Sequence, residues 1–155
     1  MKGIVSEFSR DKNNKSQSII IGNKKMISNM SGLIIKDPYI TRILNGQKTW
    51  EMRSTKTSKQ GLIALIKKGS GQIYGVANLV SVNGPLSRET MLNSIEKHTI
   101  DKPRIYSGEV DKWKYAWVLQ DAKQLPTPVP YQHKNGAVIW VNLDLSISNA
   151  ITKQL

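Results

Sequence analysis

The sequence predicts a mainly β fold of the α+β class: a small β-barrel of five or six short strands with two or three short helices inserted. Short apolar runs bounded by Gly, Pro, Asn and charged residues recur along the chain, as expected for barrel strands. Helical spacing does not alternate regularly with these runs, which argues against a parallel sheet of βαβ units. The 155 residues are 39% hydrophobic, enough for one core.

The N-terminal part of the chain differs from the rest. Residues 1–17 are mostly polar, charged or turn-forming and show no sustained apolar period. We therefore predict a flexible N-terminal arm over residues 1–31, in which Ser18–Ile21 could add an edge strand. The arm could be a nucleic-acid-binding tail or dispensable, and we favour the second. The domain itself is expected over residues 32–155.

The first predicted elements of the domain are a strand and a short helix. Leu33–Lys36 is apolar enough for a strand, and Asp37–Asn45 is predicted to be helical. Asp37 can be the N-cap of this helix, Pro38 suits its first position, and Gly46 can end it. Three further strands, separated by polar turns, are then expected over Lys48–Arg53, Leu62–Ile66 and Gln72–Val82.

The second half of the domain is predicted from turn residues and helical spacing. Gly75 inside a strand pattern predicts a bulge or a bend in the barrel. Ser87 can cap a helix over Arg88–His98, whose apolar residues recur at helical spacing. Thr99–Lys112 contains a proline and a glycine and is expected to be irregular. The remaining extended segments are expected over Tyr115–Gln120, the proline-rich Asp121–Lys134 and the final strand Ala137–Leu143.

The charge of the chain favours a polyanionic partner. The formal net charge is +12, from 23 Lys and Arg against 11 Asp and Glu. Residues 32–155 alone carry a net charge of +8, so the predicted domain is basic without the arm. Such an excess attracts nucleic acids and nucleotides.

Composition also argues against several classes of protein. Without cysteine the chain can form neither disulfides nor thiolate metal sites, and the two histidines, His98 and His133, are isolated. We therefore expect no metal and no other cofactor. No apolar run approaches the roughly 20 residues of a membrane span. These features and a polar N-terminus favour a cytoplasmic protein with no membrane partner, while protein partners are left open.

One segment, residues 46–53 (GQKTWEMR), concentrates the residues that could bind a ligand or do chemistry. Alternation along a strand places Glu51 and Arg53 on one face, close enough to pair. The opposite face is mostly apolar, so Trp50 and Met52 are expected in the core.

Lys48 begins this strand, and its long stem or a local bend could bring its ammonium beside Glu51. The resulting Lys–Glu–Arg cluster could bind phosphate through the two cations and base amino groups through Glu51. It could also do acid–base chemistry, since a lysine beside a second cation has a lowered pKa. The residues alone leave a third possibility, a surface ion pair between Glu51 and Arg53 that contributes about 0–1 kcal/mol.

Other basic and aromatic residues are weaker candidates. Four lysines lie in the two loops that follow the strand predicted over Lys48–Arg53, and they could extend a basic rim or simply be solvated: Lys56, Lys59, Lys67 and Lys68. Lys67–Gly71 is predicted to be a hairpin turn, since it lacks the spacing and the helix of a phosphate-binding loop. Three tryptophans fall in strand patterns and are expected in the core: Trp113, Trp117 and Trp140.

The segment 46–53 resembles the G-x-K-x-x-E-x-R signature of the ASCH family, a branch of the PUA-like superfamily. The order of the flanking segments is similar too, with Asp37-Pro38-Tyr39 before the signature and strands such as Ile73–Leu79 and Tyr115–Leu119 after it. The resemblance covers about residues 32–143. It implies a PUA-like β-barrel with a basic cleft beside the signature strand.

The resemblance further implies that the cleft binds RNA or a modified nucleotide. Carried over by position, Lys48, Glu51 and Arg53 would line the cleft. Lys36 and Tyr39, at the neighbouring strand–helix junction, are second-rank candidates. Tyr39 could stack on a base or could be an ordinary core aromatic.

The resemblance also implies an alternative, enzymatic function. Some ASCH proteins remove the acetyl group from N4-acetylcytidine, and others have been described as ribonucleases. The deacetylating branch has Lys-Thr-x-Thr-x-Arg, whereas this chain has Glu51 at the position of the second threonine. The alternative is therefore hydrolysis of an N4-acetylcytidine-type amide or of RNA, with Lys48 activating the nucleophile and Glu51 moving the proton.

Overall fold

The computed structural model describes residues 7–10, 17–21 and 24–155. Six strands form a mixed sheet that curves into a half-barrel, and the described residues contain five short helices. This confirms the predicted mainly β class, with more helices than the two or three expected. The six strands are β4 (Ser31–Ile35), β5 (Trp50–Arg53), β6 (Gly61–Lys67), β7 (Gln72–Asn83), β8 (Tyr115–Pro130) and β9 (Trp140–Asn142). The helices are α1 (Tyr39–Leu44), α2 (Arg88–Leu92), α3 (Ile95–His98), α4 (Lys102–Ser107) and α5 (Leu145–Thr152).

Three further strands, β1 (Glu7–Arg10), β2 (Gln17–Ile21) and β3 (Lys24–Ser28), form a separate antiparallel sheet. The strand anticipated at Ser18–Ile21 corresponds to β2, which is the central strand of that sheet and not an edge. Residues 1–6, 11–16 and 22–23, which belong to the predicted flexible arm, lie outside the described residues. The flexibility and dispensability of residues 1–31 stay predictions.

The order of strands in the half-barrel is β5-β8-β7-β6-β4-β9. β4 and β6 are parallel, and the other neighbours are antiparallel. After β4 the chain passes through α1, adds β5 at the far edge of the sheet, and returns with β6 beside β4. This crossover puts the signature strand β5 at an edge, with three strands between it and β4 in the sheet order.

The long β7–β8 ladder gives the sheet its curvature. Its register shifts three times, and one of the shifts lies between Ile73 and Gly75, which confirms the predicted bulge. A Cβ at residue 75 would lie 2.5 Å from the carbonyl oxygen of Lys123 and would also meet Leu44. Only glycine therefore lets β8 and α1 approach β7 this closely.

The proline-rich segment expected to be an extended edge continues β8 as far as Pro130. β5 pairs with residues 115–118 only, so among the described strands none lies beside the later part of β8 on that side. Prolines are tolerated there because no ladder hydrogen bond is needed. The final strand is shorter than the predicted Ala137–Leu143, since β9 has three residues.

The helix predicted near Asp37 begins two residues later. α1 starts at Tyr39 with Pro38 in the N-cap position, so the prediction that Asp37 caps the helix is wrong. Asp37 instead accepts a hydrogen bond from the Thr41 hydroxyl at 2.5 Å.

The helix predicted over Arg88–His98 is divided into α2 and α3. Ser87 caps α2 as predicted, because the Thr90 N–H donates to its hydroxyl at 3.1 Å. Asn93 ends α2 and Ser94 precedes α3. Short polar side chains of this kind compete with helical hydrogen bonds and favour helix ends.

Two helices were not predicted. Thr99–Lys112 was expected to be irregular but contains α4, in which Pro103 lies in the first turn and Gly108, at φ 83°, is the C-cap. A proline and a glycine at these positions delimit a helix and do not interrupt it. α5 follows β9 and is capped by Asp144, whose Oδ1 accepts from the Ile147 N–H at 2.9 Å.

The buried apolar residues form three clusters, one of which supports the signature strand. In this third cluster Trp50 and Met52, as predicted, pack with Met91, Ile105 and Val110 from the α2–α4 segment. The segment 88–110 is thereby fixed against β5. None of the helices in the described part of the chain is long and apolar enough to cross a membrane.

His98 joins α2 to α3 and is completely buried. Its Nε2–H donates to the carbonyl oxygen of Met91 at 2.7 Å, and its Nδ1 accepts from the Ile100 N–H at 2.9 Å. These two bonds fit the neutral ring only, since a protonated Nδ1 would oppose the Ile100 N–H. Burial lowers the pKa of His98 below its ordinary value, although the bond to Met91 acts in the opposite direction.

We expect Gly75→Ala to lower the free energy of unfolding by about 1–3 kcal/mol, because the added methyl group meets backbone that cannot move away. Chemical denaturation with urea measures the change. Val80→Ala, at a position of β7 that is 40% exposed, is the control and should change stability by less than about 0.5 kcal/mol. Equal stability of the Gly75→Ala and wild-type proteins would contradict the close approach of β8.

We also expect stability to fall as the pH drops below about 6.5, because only the unfolded chain then binds a proton at residue 98. Above that pH the stabilisation by neutral, buried His98 is fully present. Each unit by which its pKa in the folded protein lies below its pKa in the unfolded chain corresponds to about 1.4 kcal/mol of the free energy of unfolding. Denaturant titrations at pH 7.5 and 5.0 should show a smaller loss for His98→Gln than for the wild type. His133→Gln, at an exposed histidine, should behave like the wild type. A loss that is the same in all three proteins would show that His98 is not the cause.

Candidate functional site

A cavity of about 240 Å³ lies between β5, the junction of β4 with α1, and the segment that precedes β8. Every residue that the sequence singled out for the site lines it: Lys36, Tyr39, Lys48, Glu51 and Arg53. The crossover of the sheet brings these residues together, because it places β5 opposite the end of β4 across the opening of the half-barrel.

Lys48 is turned into the protein and is only 2% exposed. Its ammonium donates to the carbonyl oxygens of Trp50 and, at 3.1 Å, of His98, and it lies 3.5 Å from Glu51 Oε1. These three acceptors match the three hydrogens of an ammonium. Burial lowers the pKa of Lys48 below its ordinary value, and the neighbouring carboxylate of Glu51 acts against this shift.

Glu51 connects the two cations of the predicted cluster. Its Oε2 accepts from Arg53 Nη2 at 2.8 Å and from Arg53 Nε at 3.1 Å, while Oε1 faces Lys48. Glu51 is 6% exposed, so the possibility of a surface ion pair on a strand is wrong. Among the described residues, no buried side-chain nitrogen or oxygen lacks a hydrogen-bond partner. The cluster is therefore a satisfied polar network within the protein.

Arg53 also bridges two parts of the half-barrel. Its Nη2 donates to the carbonyl oxygen of Ile34 on β4 at 2.7 Å, which joins the edge strand β5 to a strand that is not its neighbour in the sheet. Its guanidinium carbon lies 5.6 Å from the ring centroid of Trp117. With Nε and Nη2 engaged, Nη1 makes no hydrogen bond within the described part of the chain and is the donor left for a ligand.

Tyr39 is half-buried and lies at the boundary between the core and the cavity. Its ring packs against apolar residues of the core and also lines the cavity. The Lys48 ammonium lies 5.2 Å from the ring centroid, and Arg104 Nη1 donates to the Tyr39 hydroxyl at 2.5 Å. These contacts fix the orientation of the ring at the cavity wall.

Sequence reasoning missed the apolar wall of the cavity. Trp113 was expected in a core strand, but it lies half-buried before β8, between Arg104 at 5.7 Å and Lys112 at 5.4 Å from its ring centroid. No hydrophobic periodicity in the sequence identifies Trp113, because this residue lies at the end of a turn that follows α4. Four further apolar residues complete the wall: Ile34, Met52, Ile100 and Val138. Two more tryptophans were expected in the core. Trp117 is buried as predicted, whereas Trp140 is only half-buried and stacks on Trp117 with a centroid distance of 5.7 Å.

The lysines predicted as a basic rim have different environments. Lys68 lines the cavity, whereas Lys67 pairs with Asp37 at 3.7 Å. Lys56 and Lys59 lie over aromatic rings, those of Tyr115 and Trp140. Of the turn predicted over Lys67–Gly71, residues 68–71 form a turn and Lys67 is the last residue of β6, so that Lys68 lies at the start of the turn, beside the cavity.

The arrangement suits a small, flat, partly polar ligand. Pockets for drug-sized ligands occupy roughly 300–1,000 Å³, so this cavity suits one ring system better than a large ligand. Aromatic and aliphatic walls can contact the faces of a ring, and Arg53 with Glu51 can meet its polar edge. Within residues 24–155 no three His, Asp or Glu side chains come together as a metal site would require.

Comparison with known proteins identifies the fold. The family model of the ASCH domain matches residues 33–126. The crystal structure of an ASCH protein from Zymomonas mobilis superposes with a TM-score of 0.60 at 12% identity, covering 81% of this chain and 94% of that chain. Two variants of the same protein, tyrosine-to-phenylalanine and serine-to-alanine, each superpose with a TM-score of 0.60 at 13% identity, covering 81% of this chain and 97% and 96% of theirs.

At this identity the likeness to solved structures shows the fold alone. No curated protein matches the chain at a significant level. The family model spans more than half of the 155 residues and includes the whole signature segment. This chain belongs to the ASCH domain family.

Proposed function

We propose that this chain binds RNA or a nucleotide by taking one base into the cavity beside β5. The observation that carries the proposal is that one cavity of about 240 Å³ combines apolar walls, several lysines and Arg53, whose Nη1 makes no hydrogen bond to any described residue. Bases are recognised by contacts with both faces of the ring and hydrogen bonds to its edge.

The electrostatics of the protein support a polyanionic ligand. The net charge of +8 over residues 32–155 attracts nucleic acid before contact. At the cavity itself, the negative charge of Glu51 is matched by Lys48 and Arg53, so an anionic ligand meets no unpaired carboxylate.

Hydrogen bonding at the polar edge of a bound base can be assigned to two side chains. Arg53 Nη1 is available as a donor toward a base carbonyl or ring nitrogen. Glu51 Oε1, which faces Lys48, keeps one acceptor site, which suits an exocyclic amino group, whereas Oε2 already accepts two hydrogen bonds from Arg53. The same network that holds these side chains in place removes the need to order them when the ligand binds.

Arg53→Gln should weaken binding of short single-stranded RNA or of mononucleotides by about tenfold or more, because a charge-assisted hydrogen bond is lost. Fluorescence anisotropy or calorimetry measures the affinity, and circular dichroism checks that the variant is folded. Arg88→Gln is the matched control. It removes the same charge and an exposed ion pair, 2.6 Å from Asp111, away from the cavity.

The control should bind within about twofold of the wild type, since exposed charges far from the site contribute little. Equal losses for both variants would attribute the effect to net charge and would contradict base binding at Arg53. Because Arg53 also bonds to Ile34, Trp113→Leu provides a second variant outside the ion cluster. It should weaken binding as well, since it removes an aromatic wall of the cavity.

A second candidate function is hydrolysis of an N4-acetylcytidine-type amide or of RNA. It is favoured by one observation, the burial that lowers the pKa of Lys48 and so makes its neutral, basic form more accessible. Glu51, 3.5 Å away, could then exchange a proton with it. Against this role, the two carbonyl oxygens that accept from the Lys48 ammonium stabilise its charged form.

Incubation with N4-acetylcytidine and with single-stranded RNA, followed by chromatography, separates the two functions. Pure binding predicts no turnover of either compound. A catalytic Lys48 predicts product formation that rises with pH, levels off below pH 10.5 and is abolished in Lys48→Arg, which keeps the charge but not the accessible neutral form. Equal product from the wild type and from Lys48→Arg would rule out a lysine-centred mechanism.

A further inference from the structure

We infer that Lys36 and Lys68 form a phosphate subsite at the mouth of the cavity, so that the ligand is a nucleotide unit with its phosphate and not a free nucleoside. This inference rests on the proposed function, because it names the part of the ligand that lies outside the base. The phosphate can belong to a mononucleotide or to an RNA backbone, which share the same chemistry.

The fold places the two lysines side by side. β4 and β6 are parallel neighbours, and Ile35 is opposite Lys67 in their register. Lys36 and Lys68 directly follow the last residues of the two strands, and the Lys68 N–H donates to the carbonyl oxygen of Ile35 at 2.9 Å. Both lysines are exposed and both line the cavity. Two ammonium groups at the same end of adjacent strands can reach a single anion.

The nearby carboxylate does not compensate their charge. Asp37 follows Lys36 directly, but it pairs with Lys67 at 3.7 Å and accepts from the Thr41 hydroxyl at 2.5 Å. Within the described part of the chain neither Lys36 nor Lys68 takes part in an ion pair. Like charges on adjacent strands repel, and a phosphate between the ammonium groups replaces this repulsion with two attractive contacts.

The inner end of the cavity differs in its electrostatics. There Lys48, Glu51 and Arg53 form a network with one excess positive charge, and the Lys48 ammonium is fully hydrogen-bonded inside the protein. The mouth carries two positive charges, those of Lys36 and Lys68, with no paired carboxylate among the described residues, whereas the single excess charge of the inner end is shared within a hydrogen-bonded network. A ligand with a neutral polar ring and an anionic group at one end therefore binds with the ring inward.

The spacing along β4 agrees with this orientation. Arg53 Nη2 bonds to the carbonyl oxygen of Ile34, and Lys36 lies two residues further along the chain, about 7 Å away at roughly 3.3 Å per residue. A base at Arg53 thus leaves its sugar and phosphate within reach of the long side chains of Lys36 and Lys68.

The test compares ligands with and without phosphate on the full chain. Calorimetry measures the affinity for the four common ribonucleosides, their 5′-monophosphates, short single-stranded trinucleotides and inorganic phosphate. The variant is the double substitution Lys36→Gln and Lys68→Gln. The control, Lys123→Gln with Lys153→Gln, removes the same charge at positions that do not line the cavity.

We expect the wild type to bind the phosphorylated ligands about fivefold to tenfold more tightly than the matching nucleosides, as two partly exposed charge contacts would give. The Lys36/Lys68 variant should lose this preference and keep its affinity for nucleosides, while the control variant keeps both. If only the trinucleotides bind more tightly than the nucleosides, the subsite recognises the phosphate of an RNA backbone. If the monophosphates also bind more tightly, the subsite recognises the phosphate of any nucleotide.

Two results would overturn the inference, and they can be told apart. The phosphate subsite would be contradicted, and base binding left intact, if the wild type bound nucleosides and phosphorylated ligands equally well. The same conclusion would follow if the Lys36/Lys68 variant still preferred phosphorylated ligands. A wild type that binds none of the nucleosides, monophosphates or trinucleotides would overturn the proposed function itself.

Discussion

The buried carboxylate of Glu51 is the constraint on which the rest of this structure depends. A carboxylate that is 6% exposed is stable only with charged partners, and removing one partner of a buried pair typically costs about 3–5 kcal/mol. Its partners extend the constraint outward: Lys48 holds the end of α3 through the His98 carbonyl, and Arg53 holds β4 through the Ile34 carbonyl. Through these two partners, one acidic side chain on the edge strand β5 is connected to β4 and to the end of α3.

This network also explains why the cavity is divided into a polar, hydrogen-bonded inner end and a cationic mouth. The inner groups satisfy one another and are held in place by hydrogen bonds within the protein. The outer lysines, Lys36 and Lys68, directly follow the parallel strands β4 and β6 and are exposed. Because Lys48 and Arg53 both support the fold and line the site, variants at these positions need folded, charge-matched controls.

The sequence predicted correctly several features that depend on only a few neighbouring residues. The bulge at Gly75, the cap at Ser87 and the burial of Trp50 and Met52 were all evident from the sequence and are confirmed. α4 was missed because proline and glycine often indicate irregular structure. A proline in the first turn and a glycine at the C-cap, as in α4, are instead compatible with a helix between them. α5 was missed because its short amphipathic pattern follows a strand that is shorter than expected.

The sequence by itself determined which residues could form the site, through the G-x-K-x-x-E-x-R segment, the alternation along β5 and the basic composition. Only the tertiary structure decided that Lys48 and Glu51 are buried, that Arg53 reaches Ile34, and that Trp113 and Lys68 line the cavity. The physical reason is that these contacts join residues far apart in the chain, and they exist only once β4 and β6 pair in parallel and β5 occupies the opposite edge. Residue types set the chemistry available, and the strand order set where each group acts.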